Sequence, residues 1–198
     1  MIFTIDELKN KYLDYDNFYQ KIVKETEKGN LIKIKRGLYS NSKDDNPFLI
    51  ANNICFPSYI SFETALSYYG LIPERVYTIK SASFKKNKVK NYKNDFGTFI
   101  YNDINKEAYP YEIDTIMIDG MKIFIATKEK ALTDTISLVA PRNSIKEIKE
   151  LLFDDLRINE EVFDTLDKNR IIELCDLYHN TSLKFFKKYL MKEISNDK

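Results

Sequence analysis

Residues 31–40 read L-I-K-I-K-R-G-L-Y-S, and this alternation constrains the chain more than any other stretch. Leu31, Ile32 and Ile34 are interleaved with Lys33, Lys35 and Arg36, after which Gly37 turns the chain into Leu38 and Tyr39. A period of two sends apolar side chains to one face of a strand and leaves a row of cations on the other. Upstream, residues 17–28 read as an amphipathic helix closed by Gly29-Asn30. It buries Phe18, Ile22 and Val23 and presents Asn17, Gln20, Lys21, Lys24 and Lys28. A helix followed at once by a cationic ribbon is the sequence form of a winged helix-turn-helix. Residues 17–40 hold six cations against two acids, Glu25 and Glu27. Asn17, Gln20 and Lys21 are placed for base edges. Lys33, Lys35 and Arg36 are placed for phosphates, and Lys24 and Lys28 extend the same cationic helix face.

The rest of the composition describes a globular chain. Its 198 residues are 43% hydrophobic and 31% charged, enough for one large core or two small ones. No apolar run approaches the roughly 20 residues of a membrane span, and the charged N-terminus does not resemble a signal peptide, so a cytoplasmic location is expected. Cys55 and Cys175 lie in apolar surroundings and read as buried thiols in a reducing compartment. The net charge of +1 hides an asymmetry. Residues 1–93 carry 16 cations and 10 acids, whereas residues 94–198 carry 15 and 20. A nucleic-acid surface therefore belongs to the first half.

The expected fold class is α+β. A winged helix-turn-helix over residues 1–45 is followed by a mixed α/β domain over residues 46–198, a small sheet with helices that ends in a helical segment. Thr4 caps a first short helix, with Asp6 and Glu7 in its opening turn. The polar stretch 41–47 is the linker. Helices are expected over 48–55, from Ser61 to Gly70, and from Thr127 to 139, with Ser61 and Thr127 as N-caps. Strands are expected over 76–81, 97–102, 115–118 and 121–126, the last two joined by the Asp119-Gly120 hairpin signal. Beyond Asn143 the pattern is helical.

Catalytic signals are weak. The only histidine, His179, has no neighbouring nucleophile, and there is no phosphate-binding glycine loop and no Cys/His cluster with zinc spacing. Glu147 and Lys149 form a nuclease-like pair, but on a helix instead of a strand. The expectation is a non-enzyme without cofactor, metal or catalytic residues. A second basic run, residues 84–93, contains Lys85, Lys86, Lys88, Lys90 and Lys93. It either adds phosphate contacts or guards a sheet edge against aggregation.

Three stretches together resemble the AbiEi family, antitoxins of type IV abortive-infection toxin–antitoxin systems. They are I-K-I-K-R-G-L-Y-S at 32–40, Y-I-S-F-E-T-A-L-S-Y-Y-G-L-I-P at 59–73 and I-A-T-K-E-K-A-L-T-D at 125–134. The resemblance implies a bacterial phage-defence protein that binds inverted repeats in its own promoter as double-stranded DNA and represses its operon. It also implies neutralisation of a nucleotidyltransferase-like toxin by the C-terminal domain without a stable complex, and no membrane association. By position Lys33, Lys35, Arg36 and Tyr39 match the family's wing. Ser61, Glu63, Lys128, Glu129 and Asp134 fall in its C-terminal motifs, where local roles as caps, a first-turn acid and a surface contact compete with a part in antitoxicity. The lysine-rich 84–93 run and the acidic residues at 14–16 depart from many members. A direct toxin-binding protein and an enzyme acting on the toxin or its substrate are the alternative readings.

Overall fold

The computed structural model describes residues 1–196 and is a mixed α+β structure built on two sheets. The first sheet comes from β1 (Ile2–Thr4), β2 (Ile32–Lys35) and β3 (Leu38–Ser40), in the antiparallel order β1-β3-β2. Between β1 and β2 lie α1 (Ile5–Lys11) and α2 (Phe18–Glu27). Thr4 and Glu7 form a reciprocal capping box at the start of α1. Asn17 caps α2 by accepting from the Gln20 amide at 3.1 Å. Gly29, at φ +76°, lets the chain reverse so that the Asn30 and Leu31 amides both reach the Glu25 carbonyl. Leu8, Tyr12, Ile22 and Leu31 pack together beneath these two helices. Val23, expected inside, is 55% exposed, because the narrow buried stripe of so short a helix is filled by Ile22 and half-buried Phe18.

The second sheet has six strands in the order β6-β7-β5-β4-β9-β8 and mixes parallel with antiparallel pairs. These strands are β4 (Ser58–Ile60), β5 (Thr78–Ser83), β6 (Lys90–Asn94), β7 (Gly97–Asp103), β8 (Ile113–Ile118) and β9 (Met121–Ala126). Asp119 and Gly120 join β8 to β9 with φ of 51° and 76°, the positive pair a type I′ turn requires. Helices α3 (Pro47–Ile54), α4 (Phe62–Tyr68) and α5 (Lys128–Leu138) pack against this sheet. The chain ends in α6 (Ile145–Lys149), continued by a π-helical turn over Glu150–Asp155, then α7 (Glu160–Asp164), α8 (Lys168–Asp176) and α9 (Thr181–Asn196). Strands β1 and β4 were not expected. Each is three residues long and is held by partners distant in sequence. The strand expected over 76–81 begins two residues later, and the end of the second basic run, residues 90–93, continues into Asn94 as the edge strand β6.

Two polar links tie the small sheet to the rest of the fold, one to the large sheet and one to α3. The Asn94 amide on β6 donates to the Ile34 carbonyl at 3.0 Å, and the Lys35 ammonium donates to the Ile54 carbonyl at 2.5 Å. Ile34 and Leu38 are buried in the same apolar cluster as Leu49, Ile50 and Ile54 of α3. No helix among the described residues is long and apolar enough to cross a membrane.

Candidate nucleic-acid interface

Asn17, Gln20, Lys21, Lys24 and Lys28 fall on one stripe of α2, as spacings of three and four residues dictate. With Tyr15 and Asp16, the first four line a groove of about 350 Å³ at the N-terminal end of the helix. Their freedom differs. Asn17 commits its side-chain oxygen to the helix cap. Lys21 forms an ion pair with Glu25 at 3.0 Å and lies 4.7 Å from the centre of the Tyr15 ring. Glu25 raises the pKa of Lys21, while the Asn30 amide and then Lys21 hold the Glu25 carboxyl below the usual carboxylate range. Gln20, Lys24 and Lys28 are exposed, and the charge of Lys28 also helps to hold the Glu25 carboxyl down.

The hairpin divides its cations. Lys33 pairs across the ladder with Tyr39, but Lys35 pairs with Leu38, so a bulge falls between the two lysines. An extra residue breaks the two-residue alternation and re-aims the side chain beyond it. Lys33 stays exposed, whereas Lys35 turns toward the body and reaches the end of α3. Arg36 stands exposed at the turn, and Tyr39 is half-buried against the small cluster of α1 and α2. Helix α2 and the hairpin thus bring Gln20, Lys24, Lys28, Lys33 and Arg36 to the surface of one small module, with Lys35 used as an anchor.

In the second basic run, Asp103 latches the loop that precedes β6. One oxygen accepts the amides of Lys86 and Asn87, both at 2.6 Å, and the other accepts the Ser83 hydroxyl. The Lys86 ammonium donates to the Phe56 carbonyl, and Lys85 lies over the Phe84 ring. Lys88, Lys90 and Lys93 have no ion-pair partner among the described residues.

The most elaborate polar cluster lies elsewhere and was not foreseen. Asp134 on α5 is fully buried, not at the surface. One oxygen accepts from the Tyr59 and Ser61 hydroxyls at 3.0 and 2.6 Å, and the other from the Tyr178 hydroxyl at 2.5 Å. Ser61, expected to cap α4, makes no capping bond because its hydroxyl is committed here. Lys130, one turn before Asp134, is also fully buried. It donates to the Ala108 carbonyl and the Tyr178 hydroxyl and lies 3.2 Å from Asp134. Burial lowers the Lys130 pKa against the pull of Asp134, and burial followed by Asp134 raises those of Tyr59 and Tyr178 well above normal. Every donor of the ammonium is matched, and the cluster joins β4, α5 and the residues just after α8. An i,i+4 Lys–Asp pair in the stretch K-A-L-T-D-T-I is the one sequence sign of it.

Nearby Glu129 is buried and accepts the Asp167 amide, and Thr127 caps α5. Glu63 pairs with Lys80 at 2.8 Å, and Lys128 is half-buried. His179 is exposed, 3.0 Å from the Glu107 carboxylate. Glu147 caps the start of α6. Both cysteines are buried and free. Among the described residues no group of three or more His, Cys, Asp or Glu side chains is placed to hold a metal ion. The chain matches no protein-family model and no curated protein sequence.

Proposed function

We propose that this protein is a DNA-binding autoregulator of the antitoxin type, which grips promoter repeats through α2 and the β2-β3 hairpin. The observation that carries the reading is the order β1-α1-α2-β2-β3 with sheet order β1-β3-β2, which leaves α2 exposed beside a cationic hairpin. In a winged helix-turn-helix that arrangement lays the second helix in the major groove while the hairpin grips phosphate. Gln20 reads a base edge, and Lys24, Lys28, Lys33 and Arg36 neutralise phosphates. The antitoxin half rests on the resemblance at 32–40, 59–73 and 125–134. Under it the body built around the Lys130–Asp134 cluster neutralises a nucleotidyltransferase-like toxin without a stable complex, as a non-enzymatic cytoplasmic protein.

The test is titration of the full chain with duplex DNA from upstream of its own reading frame, over a range of salt concentrations. Four phosphate contacts from the module contribute about −3.6 to the slope of log affinity against log salt. Tight binding to inverted repeats over scrambled duplex is the expected result. Equal, weak binding to both would overturn the reading. Co-expression with the neighbouring toxin tests the second half by rescue of growth.

A further inference from the structure

The cations of this chain are divided by pairing as well as by number. In the acidic half eight of the fifteen sit in ion pairs: Lys130, Arg142, Lys146, Lys149, Arg157, Lys168, Arg170 and Lys187 all have a carboxylate within 4 Å. In the basic half, Lys24, Lys28, Lys33, Arg36, Lys43, Lys88, Lys90 and Lys93 have none among the described residues. Cations left without counter-charge on one region of a surface create a potential that only an external anion neutralises.

The topology brings the β6 lysines up to the hairpin. Asn94 closes β6 onto the Ile34 carbonyl of β2, so Lys93 stands next to the strand that carries Lys33. Strand β6 is an outer strand of the large sheet and leads away from the hairpin through Lys93 and Lys90 to Lys88. Lys90 and Lys93 project to opposite faces of the strand and flank its outer edge. At about 3.3 Å per residue the five residues of β6 extend roughly 16 Å. Along one strand of duplex DNA that length covers about five phosphates, at 3.4 Å of rise each. Asp103 fixes the loop carrying Lys88 by holding the amides of Lys86 and Asn87.

We infer that Lys88, Lys90 and Lys93 form a second phosphate-binding track, continuous with the hairpin, that follows the backbone of the same duplex beyond the module of α2 and β2-β3. This deepens the DNA reading above and rests on it. The track carries no sequence information. It lengthens the footprint on one side and steepens the salt dependence, and it makes residues beyond position 45 part of the DNA-binding surface.

The experiment compares the full chain with a K88Q/K90Q/K93Q variant and a K88R/K90R/K93R variant on the same operator duplex. Salt titration and ethylation interference are the two readouts. The glutamine variant is expected to lose about 2.7 from the steepness of the log–log slope, three contacts at about 0.9 each. It should also lose its phosphate contacts on one flank while keeping its preference for the repeats, and the arginine variant should retain both slope and flank. If the glutamine variant binds with unchanged slope and footprint, the track is refuted. Self-association of that variant on top of unchanged binding would mark the lysines as guards of the sheet edge. If the unaltered chain fails to prefer the repeats, the DNA reading itself falls, a result distinct from loss of the flank alone.

Discussion

Lys130 and Asp134 lie one helical turn apart on α5, both without solvent exposure, with Nζ 3.2 Å from Oδ1. Buried pairs of this kind return little net stability relative to a well-packed apolar pair, yet removing one partner leaves an uncompensated charge. Lys130→Met or Asp134→Asn alone should therefore destabilise the fold by about 3–5 kcal/mol. The double substitution should cost less than the sum of the two. Urea unfolding followed by circular dichroism checks this, and additive losses would show that the two side chains act independently.

Lys35 and Lys33 differ by one bulge and should differ in effect. Lys35→Ala removes a charged donor from the Ile54 carbonyl and should cost about 1–2 kcal/mol of stability with little change in the DNA salt slope. Replacing Lys33 and Arg36 together should leave the melting temperature within a degree or two, while the slope falls by about 1.8. Thermal melts and salt titrations on the same preparations separate the two outcomes.

On α2, adjacent residues report on the buried stripe. Ile22→Ala should cost about 2–4 kcal/mol, because Ile22 is buried with Leu8, Tyr12 and Leu31. Val23→Ala should fall within about 0.5 kcal/mol of neutral, because Val23 is exposed. Comparable losses at both positions would mean that α2 is rotated.

Alkaline pH should unfold the protein through its tyrosines. Burial pushes Tyr69, Tyr109 and Tyr189 up to about 12, and Tyr59, Tyr101 and Tyr178 are also raised. In the unfolded chain these phenols ionise near pH 10, so there the folded state holds more protons than the unfolded one. The contribution of all six is complete below pH 10; that of Tyr69, Tyr109 and Tyr189 is lost as pH rises from about 10 through 12, and that of Tyr59, Tyr101 and Tyr178 goes on falling beyond it. Lys130, whose pKa is lowered, works in the opposite direction and softens the decline. With 14 tyrosines and no tryptophan, tyrosinate absorbance follows the transition directly. Stability that stays flat to pH 12 would contradict the burial of these rings.

Local chemistry made much of this fold legible. Thr4, Thr127 and the Asp119-Gly120 turn act within four residues of themselves, and the sequence announces each of them, whereas Asn17, read as a base-facing residue, caps α2. Strands β1 and β4 escaped because three residues carry too little periodicity, and their partners lie far along the chain. The inward turn of Lys35 escaped because alternation assumes a ladder without a bulge. Ser61 and Asp134 escaped for a tertiary reason: Tyr178, from the far end of the chain, closes over them and converts an apparent cap and surface acid into a buried network. The exposed face of α2 was readable in part: spacing places Gln20, Lys24 and Lys28 on it, but it did not foresee the exposed Val23 or the Lys21–Glu25 pair.

The hairpin that grips DNA in this reading is also a wall of the main core, through Ile34 and Leu38. A chain cut at residue 45 would expose those side chains to water and lose the anchors from Lys35 and Asn94. Folding of the two parts is thereby coupled, and they should melt in one cooperative transition. A lesion deep in α5 would then disable the proposed DNA-binding surface without touching it, so both proposed activities would fail together.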